Sequence, residues 1–279
     1  MVGLMKKILI TGKNSYIGDS VRSYLLQAPN EYSVDVKDAI KWNPKADDFS
    51  SYDVVFNVAG IAHIKETKEN RQSYYAVNRD LVIEIAKAAK AGGVKQFILL
   101  SSMSVYGMTV GHITKNTAPH PVNAYGDSKL QADKAIEQLA DSSFKFACLR
   151  PSMVYGKGCK GNYQRLRSFS LSSPIFPEYR NQKSMIYIGN LCEFVKQVID
   201  EDKEGIFFPQ NEEYVATCEM AKAIAALHGK SLRFTKLLNW GIGIAPVDVL
   251  KKVFGNLTYE AVDLVSKYDF EESIRLTEG

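Results

Sequence analysis

The sequence predicts an α/β protein with a parallel sheet covered by helices on both faces, followed by a smaller carboxyl-terminal lobe. Apolar runs and helical patterns alternate through residue 151, an order typical of parallel strands joined by right-handed crossovers. A tight loop, TGKNSYIG, joins the first strand to the first helix. Residues 156–182 are rich in Gly, Ser, Pro and Tyr without a clear period, which is typical of a lid over the carboxyl edge of the sheet. We therefore expect one domain over 1–152 and a second over 153–279, with some segments of the second returning to the sheet.

The composition excludes several classes of protein. A chain of 279 residues with 46% hydrophobic content can bury a sizeable core, and its net charge of +4 is too mild and scattered to predict a nucleic-acid partner. The amino-terminal apolar run is too short for a signal peptide, and no segment approaches the ~20 apolar residues of a membrane span. Four separated cysteines without a C-x-x-C pair predict neither a disulfide framework nor a metal site, so we expect a cytoplasmic protein without a membrane partner. The cysteines are Cys148, Cys159, Cys192 and Cys218.

The first strand, Lys7 to Thr11, leads through the loop into a helix. A pyrophosphate binds at such a junction, because the free N–H groups of the helix start point at it and glycines let it come close. The glycines are Gly12 and Gly18, with Ser15 at the intermediate position. A plain strand-to-helix turn remains the alternative, since a single loop of this kind is weak evidence. The residues predicted to bind a dinucleotide here are Gly12, Asn14, Ser15, Tyr16, Ile17 and Gly18.

The second strand, Tyr32 to Asp38, ends in residues of both charges. A carboxylate at this strand end binds the adenine ribose hydroxyls of NAD, whereas a basic residue accommodates the 2′-phosphate of NADP. Asp35, Lys37 and Asp38 leave that choice open, and Lys13 in the preceding loop is a further candidate to face such a phosphate. Only about 15 residues separate this strand from the next, too few for a full helix and another strand, so we expect one crossover to be abbreviated.

The next elements place further polar residues at strand ends. The third strand, Asp53 to Val58, runs into AGIAH, where small residues let the backbone pass close to a ligand. A helix from about Arg71 to Ala91 follows, with an expected buried face of Val77, Leu81, Ile85 and Ala88 and a stop at Gly92-Gly93. On this helix, Asn78 either ties down a neighbouring loop or is an ordinary core amide.

The fourth strand, Val94 to Ser101, ends in Ser101-Ser102, where ligands of parallel sheets bind. The remaining predicted elements are strands at 144–149, 184–190 and 205–209 and helices at 191–199, 218–227 and 270–276.

Tyr125 and Lys129 lie four residues apart in the helix that begins NAYGDSK, and therefore on one helix face. That face continues through Ala132, Ile136 and Leu139 as an apolar stripe, so a phenol and an amine occupy core positions. A phenol has a pKa of about 10, and a neighbouring ammonium favours its ionised form. Coincidence is the alternative, because the same spacing recurs at Tyr179 and Lys183, where Pro177 and polar neighbours give no helical stripe.

Five motifs in order, TGKNSYIG, NVAGIAH, LLSSMSVYG, YGDSK and LRPSMVYG, resemble the extended short-chain dehydrogenase/reductases, specifically the nucleotide-sugar epimerase and 4-ketoreductase group. The similarity covers about residues 5 to 200. It implies a Rossmann-like doubly wound parallel sheet that binds NAD(P), with a smaller C-terminal substrate-binding lobe that holds a nucleotide diphosphate sugar. It also implies a homodimer packed through the helices around residues 71–91 and 123–140.

The resemblance assigns roles to individual residues. Tyr125 would be the general acid/base, Lys129 would lower its pKa and hold the nicotinamide ribose, and Ser102 would hydrogen-bond the sugar oxygen. Asn162 and Lys183 would contact the diphosphate side of the substrate, Lys183 standing where relatives often have an arginine. The further positions predicted to bind the cofactor are Asp35, Val58, Ala59, Gly60, Asn78 and Ser101.

The chain also departs from the pattern of its relatives. Ser15 replaces the middle glycine, and Met153 stands where typical epimerases carry a substrate-binding Asn. Met103-Ser104 stands where dehydratases have an Asp-Glu pair, which argues against a dehydratase. We expect a UDP-glucose/UDP-N-acetylglucosamine 4-epimerase of surface polysaccharide synthesis that uses NAD rather than NADP. The alternatives are a nucleotide-activated 4-keto-sugar reductase and, from another class, a non-catalytic NAD(P)-binding regulatory protein.

Overall fold

The computed structural model describes residues 5–39, 42–62, 64–239 and 252–279. Its contacts divide the chain into two compact units. The first comprises Met1–Gly107, Pro119–Pro151 and Cys192–Phe208, and the second Met108–Ala118, Ser152–Leu191 and Pro209–Gly279. The division expected at residue 152 stays a prediction. No helix in the described ranges is both long enough and apolar enough to cross a bilayer.

A six-stranded parallel sheet forms the centre of the first unit and confirms the predicted α/β fold. The strands are β1 (Lys6–Thr11), β2 (Tyr32–Lys37), β3 (Val54–Asn57), β4 (Gln96–Leu100), β6 (Lys145–Leu149) and β10 (Gly205–Phe207). Their spatial order is β10-β6-β4-β3-β1-β2, so the direction of winding reverses between β1 and β3. Ligands of open α/β sheets bind at such a switch point, outside the carboxyl ends of the strands.

The crossover between β2 and β3 is short, as expected from the sequence. Among its described residues the regular structure is one 3₁₀ turn, Pro44–Ala46. The buried Phe49 anchors this segment to the core that contains β3 and β4. The abbreviated crossover therefore still covers the sheet with an apolar side chain.

Helices α1 (Tyr16–Leu25), α2 (Arg71–Tyr75), α3 (Val82–Ala91), α4 (Ala124–Glu137) and α6 (Ile188–Asp200) accompany this sheet. A π-helical stretch, Ala76–Leu81, joins α2 to α3 into the continuous helix that the sequence predicts, and Gly92 ends it. The predicted buried face of Val77, Leu81, Ile85 and Ala88 is wrong in part, because the wider π turn rotates the helix by about one residue. The buried positions on this helix are Tyr74, Asn78, Val82, Ile85, Ala86 and Ala89.

The stripe predicted on α4 is confirmed. Ala132 and Ile136 are fully buried in a core with Val55, Phe97 and Val82, and Leu139 packs against the same cluster. Lys129, one turn earlier, is 4% exposed. Burying an amine costs free energy unless it has partners, so the position of Lys129 requires an explanation from the site itself.

The described part of the second unit contains short paired strands and helices. Its strands pair in parallel as β5 (Gly111–Ile113) with β13 (Leu257–Tyr259), β7 (Met153–Tyr155) with β9 (Met185–Tyr187), β8 (Ile175–Pro177) with β12 (Arg233–Thr235), and β11 (Gln210–Asn211) with β14 (Leu264–Val265). Its helices are α5 (Asn162–Ser172), α7 (Thr217–Leu227) and α8 (Phe270–Glu278). The segment 156–182 contains α5 and β8, which its residue pattern did not indicate, and its role as a lid stays a prediction. Burial of single residues such as Tyr163, which stacks on Tyr155 at 5.6 Å, stabilises α5 without a regular apolar stripe.

Candidate active site

The loop between β1 and α1 packs closely against the residues that follow β3. Gly12 has φ +116°, and a Cβ there would lie 3.0 Å from the amide nitrogen of Ala59. A Cβ on Gly18 would lie 2.9 Å from the Val58 side chain. Both glycines therefore let this loop pack against the residues that follow β3. The backbone of Val58 and Ala59 consequently lies beside the start of α1, and the cofactor contacts of these residues stay predictions.

Ser15 caps the amino terminus of α1. Its hydroxyl accepts a hydrogen bond from the Gly18 amide at 3.3 Å, and Asn14 before it adopts φ +63°. Serine is one of the preferred N-cap residues. The replacement of the middle glycine thus has a structural role here, which preserves the helix start where an anion would bind.

Asn57 lies under the loop with its side chain only partly satisfied. It is fully buried, and its Oδ1 accepts from the Thr11 hydroxyl at 2.6 Å. Among the described residues, its Nδ2 has no hydrogen-bond partner. A buried unpartnered donor costs about 1–3 kcal/mol. This amide lies beside the loop that carries Gly12 and Gly18, the glycine cradle, and it fits a site that receives a polar group. The residues present therefore fit a dinucleotide.

Asn78 fastens the loop after β3, as one of the two interpretations of the sequence proposed. Its side chain accepts from the Ile61 amide at 2.7 Å and donates to the Ile61 carbonyl oxygen at 3.1 Å. It also donates to the Ser128 hydroxyl on α4 at 3.3 Å. A Cβ on Gly60 would lie 3.1 Å from Lys129 Nζ. Asn78 and Gly60 together hold the loop backbone against the amine.

Asp35 lies inside β2 rather than at its end. It pairs in register with Leu9, and its exposed carboxylate accepts from the Tyr52 hydroxyl at 2.9 Å. The strand ends at Lys37, whose carbonyl oxygen accepts from the amides of Gly12 and Lys13. The Lys37 ammonium pairs with Asp47 at 2.8 Å. The assignment of Asp35 to the cofactor stays a prediction, and the residue nearest the loop backbone is Lys37.

Ser102, Tyr125 and Lys129 gather at the carboxyl end of β4. Lys129 Nζ donates to the Leu100 carbonyl oxygen at 2.9 Å, and the Ser102 hydroxyl acts on the Tyr125 phenol by a hydrogen bond that lowers its pKa. The Tyr125 ring packs edge-on against Tyr74 with centroids 6.4 Å apart. Ser101, which precedes Ser102, is buried and turns its hydroxyl to Asp133 at 2.9 Å. The structure thus brings the three predicted catalytic residues together.

Burial dominates the acid–base properties of this group. It raises the pKa of Tyr125, against the lowering effect of Ser102. It also lowers the pKa of Lys129 to about 8, against the raising effect of Asp133. The expectation that Lys129 lowers the pKa of Tyr125 is not seen here. The reason is that the amine loses its proton at a lower pH than a buried phenol does, so it is neutral when the phenol ionises.

Gly126 determines how closely α4 approaches the turn after Ser102. A Cβ at Gly126 would lie 2.4 Å from the Ser104 carbonyl oxygen, within the 3₁₀ turn Met103–Tyr106. Ser102 caps that turn by accepting from the Ser104 amide at 3.1 Å. The glycine therefore sets the distance between Ser102 and the Tyr125 helix.

Replacing Gly126 by alanine should push the two segments apart. We expect Gly126→Ala to lower kcat at least about tenfold, because Ser102 moves with its turn. Stability should fall by about 1–3 kcal/mol from overpacking, despite the higher helix propensity of alanine. Steady-state kinetics and thermal unfolding measure the two effects. A variant with unchanged kcat would show that this approach does not position Ser102.

Asn162 and Lys183 belong to the second unit, and each is described in its own surroundings. Asn162 is the exposed first residue of α5, after Gly161 with φ +94°. Lys183 pairs through its backbone with Val215, and burial lowers the pKa of its amine to about 8. Tyr179 packs against Phe254 outside any helix, so the second Tyr-x-x-x-Lys spacing is not a helical pair. The substrate contacts of Asn162 and Lys183 stay predictions.

Sequence reasoning missed a buried ion pair behind the catalytic group. Arg150 Nε donates to Asp133 Oδ2 at 3.1 Å, and both side chains are about 5% exposed or less. The available signal was the spacing of Tyr125, Lys129 and Asp133, which continues one helix face by steps of four. Asn57 was also missed, because no sequence pattern indicates that its side-chain amide lacks a hydrogen-bond partner.

Comparison with known proteins identifies the family. The profile of the NAD dependent epimerase/dehydratase family matches residues 8–205. The chain belongs to this family. The match confirms the predicted resemblance to the extended short-chain dehydrogenase/reductases and the prediction of an NAD(P)-dependent epimerase or reductase.

Individual known proteins resemble the chain over most of its length. A UDP-glucose 4-epimerase from Vibrio cholerae is 30% identical over 246 residues, which cover 79% of this chain and 75% of that protein. The structure of a UDP-glucuronic acid 4-epimerase from Bacillus cereus in complex with NAD has a TM-score of 0.76 at 17% identity, covering 98% of this chain and 97% of that one. A dTDP-4-dehydrorhamnose reductase from Bacillus anthracis in complex with NADP has a TM-score of 0.73 at 17% identity, covering 98% and 99%. At these identities the two structures support the fold.

Proposed function

We propose that the protein is a UDP-glucose/UDP-N-acetylglucosamine 4-epimerase that uses NAD. The observation that carries the proposal is the gathering of Ser102, Tyr125 and Lys129 at the end of β4, in the unit that holds the glycine cradle. The similarity to a UDP-glucose 4-epimerase over 79% of the chain supports this substrate class. The epimerase would act in the cytoplasm and serve surface polysaccharide synthesis.

The three side chains divide the chemistry at the sugar. Tyr125 takes the proton of the C4 hydroxyl through its phenol oxygen and returns it after the sugar has presented its other face. Ser102 donates a hydrogen bond to the same sugar oxygen while the charge on that oxygen changes. When bound, the nicotinamide cofactor supplies hydride acceptance and return at C4. The Lys129 ammonium would hold the nicotinamide ribose and contribute positive charge beside the phenol.

The cofactor preference is proposed from the residues at the end of β2. A 2′-phosphate requires a cation that can pair with it, and the Lys37 ammonium already pairs with Asp47. The neutralised lysine therefore favours NAD over NADP. The cofactor would lie against Gly12, Ser15 and Gly18 at the α1 start, with Asn57 as a further donor.

The proposal extends to the substrate and to assembly. Lys183 and Asn162 would hold the diphosphate, since a desolvated amine gains from an anionic partner. The continuous helix of residues 71–91 and α4 would form the interface of a homodimer. Nucleic acid and membrane are not among the proposed partners.

Incubating the purified protein with UDP-glucose or UDP-N-acetylglucosamine tests the proposal. We expect interconversion with the galacto epimer without added cofactor, because the hydride is returned in each turnover. Stoichiometric oxidation of NADPH or NADH with a nucleotide-activated 4-keto sugar would instead show a reductase. Binding of NAD without turnover of any nucleotide sugar would show a regulatory binder. Calorimetric titration with NAD and NADP tests the cofactor preference, and tighter binding of NADP would contradict it.

A further inference from the structure

Asp133 lies at the junction of three elements behind the catalytic group. It follows Lys129 by four residues on α4, so the two side chains share a helix face with Cβ atoms about 6 Å apart. Its Oδ2 accepts from the Ser101 hydroxyl at 2.9 Å and from Arg150 Nε at 3.1 Å. Ser101 follows β4 and Arg150 follows β6. The carboxylate therefore joins the ends of two strands to the catalytic helix.

Arg150 is itself held in place. Its Nη1 donates to the Tyr106 hydroxyl at 2.8 Å, and its guanidinium lies over the Tyr106 ring at 5.4 Å. Its backbone amide donates to the Phe207 carbonyl oxygen at 2.9 Å. The guanidinium cannot leave Asp133 without breaking its contacts with Tyr106. The ion pair is thus a fixed feature of the first unit.

Ser101 and Arg150 both bind the same carboxylate oxygen of Asp133, Oδ2. Within the part of the chain that is described, Oδ1 of Asp133 has no hydrogen-bond partner. Replacing such a buried pair by apolar residues is often neutral or stabilising, so stability alone does not explain its presence. A buried amine one helix turn away provides the explanation.

We propose that Asp133, held by Arg150, is a positioning residue that keeps the Lys129 amine in its charged form. This inference rests on the proposed function, in which that ammonium acts beside the phenol and the cofactor. Asp133 would touch neither substrate nor cofactor and would act through Lys129.

The groups that face Lys129 leave Asp133 as the source of negative charge. The Leu100 carbonyl oxygen accepts from the amine, and Gly60 and Asn78 lie on its other side without ionisable groups. Two groups raise the pKa of Lys129, Asp133 on its own helix and the Cys148 thiol on β6. Burial raises the pKa of that thiol well above its ordinary value, so it is neutral near pH 7. Burial also raises the pKa of Asp133, but Arg150 opposes the rise.

Removing the negative charge should therefore make Lys129 release its proton at a lower pH. In protein labelled with ¹³C-lysine, the ε-carbon resonance of Lys129, assigned by its loss in Lys129→Met, reports this titration without any turnover. We expect Asp133→Asn to lower the midpoint by about one to three pH units, the effect of a close opposite charge. Asp133→Glu keeps the charge and should restore most of the shift. The alkaline limb of the kcat/KM profile should move in the same direction as the midpoint.

Gln96→Met is a matched control. Gln96 is equally buried, begins β4 at the opposite end from Ser101, and also has an unpartnered side-chain oxygen within the described residues. This variant should lose stability without moving the midpoint. If Asp133→Asn does not fold because Arg150 is left unpaired, the double variant Asp133→Asn/Arg150→Met removes both charges and should also show a lowered midpoint.

A midpoint that stays in place in a folded variant without the Asp133 charge would overturn the inference. This outcome is independent of whether the wild-type protein turns over a UDP-sugar. An inactive wild-type protein would refute the proposed function, while the titration would still decide the role of Asp133.

Discussion

Tyr125→Phe should reduce the epimerisation rate by at least about a thousandfold while leaving NAD binding within a fewfold of wild type. The phenol oxygen is the group at this site that would take the proton from the sugar hydroxyl, and general acid–base catalysis contributes about 10²–10⁴ to rates. The ring, which packs edge-on against Tyr74, is retained in phenylalanine. Turnover and cofactor binding should therefore separate. Single-turnover kinetics and calorimetric titration with NAD measure the two effects.

The matched control for this variant is Tyr24→Phe. Tyr24 lies on α1, and its hydroxyl donates to the Glu193 carboxylate, so the substitution removes a hydrogen-bonded phenol outside the catalytic group. We expect at most a modest loss of stability and near-normal turnover. Near-normal turnover in Tyr125→Phe would assign the acid–base role to another residue.

The pH dependence of the wild-type enzyme follows from the same groups. Because burial raises the pKa of Tyr125, the phenol is protonated near neutral pH in this structure. The Ser102 hydroxyl opposes that rise, so the geometry set by Gly126 bears directly on the base. An oxidised nicotinamide ring would add its positive charge to that of the Lys129 ammonium, so cofactor binding would favour the phenolate.

Most of the sheet could be predicted from the sequence, because β1, β3, β4 and β6 are apolar runs followed by a glycine, a serine pair or an Arg-Pro step. The α4 stripe through Ala132 and Ile136 was also predictable from its helical spacing, and both residues are fully buried. The buried face of the helix over 71–91 could not be predicted fully, because a π turn changes the helical periodicity and the residue pattern does not indicate such a turn. Helix α5 was missed for a different reason. Tertiary contacts such as the stacking of Tyr155 on Tyr163 stabilise it, and an amphipathic stripe does not.

The candidate site shows the same limit. The sequence indicated Ser102, Tyr125 and Lys129 by type and spacing, and the structure brings them together. It indicated Asp35 by its position near a strand end, but the register with β1 places Lys37 at that end. The ionisation of Lys129 depends on Asp133 on its own helix, on Cys148 on β6 and on the degree of burial, and the last two depend on contacts between distant parts of the chain. A pKa that depends on contacts between distant residues can be inferred only from the three-dimensional structure.

Lys129→Met should abolish most activity and at the same time stabilise the fold. A pKa lowered from an ordinary 10.5 to about 8 means that the folded state disfavours the charged amine, at a cost of about 3 kcal/mol at pH values below 8. This cost disappears as pH rises from 8 to 10.5, where the amine is neutral in the folded chain. Methionine fills the same space without the charge, and loses only the hydrogen bond to the Leu100 carbonyl oxygen. We therefore expect a gain of about 1–3 kcal/mol near pH 7, shrinking above pH 8, with kcat reduced at least about a hundredfold.

Denaturant unfolding at pH 7 and pH 10 measures this gain and its pH dependence, and Lys134→Met is the control. Lys134 is exposed on the same helix, so its loss should change neither stability nor turnover appreciably. A less stable Lys129→Met variant would mean that the buried amine contributes to folding and that its cost has been misjudged. A stable but fully active variant would mean that the ammonium is dispensable for the reaction. Only the combination of higher stability and lost turnover fits an amine that is retained in the core for catalysis, at the expense of the fold.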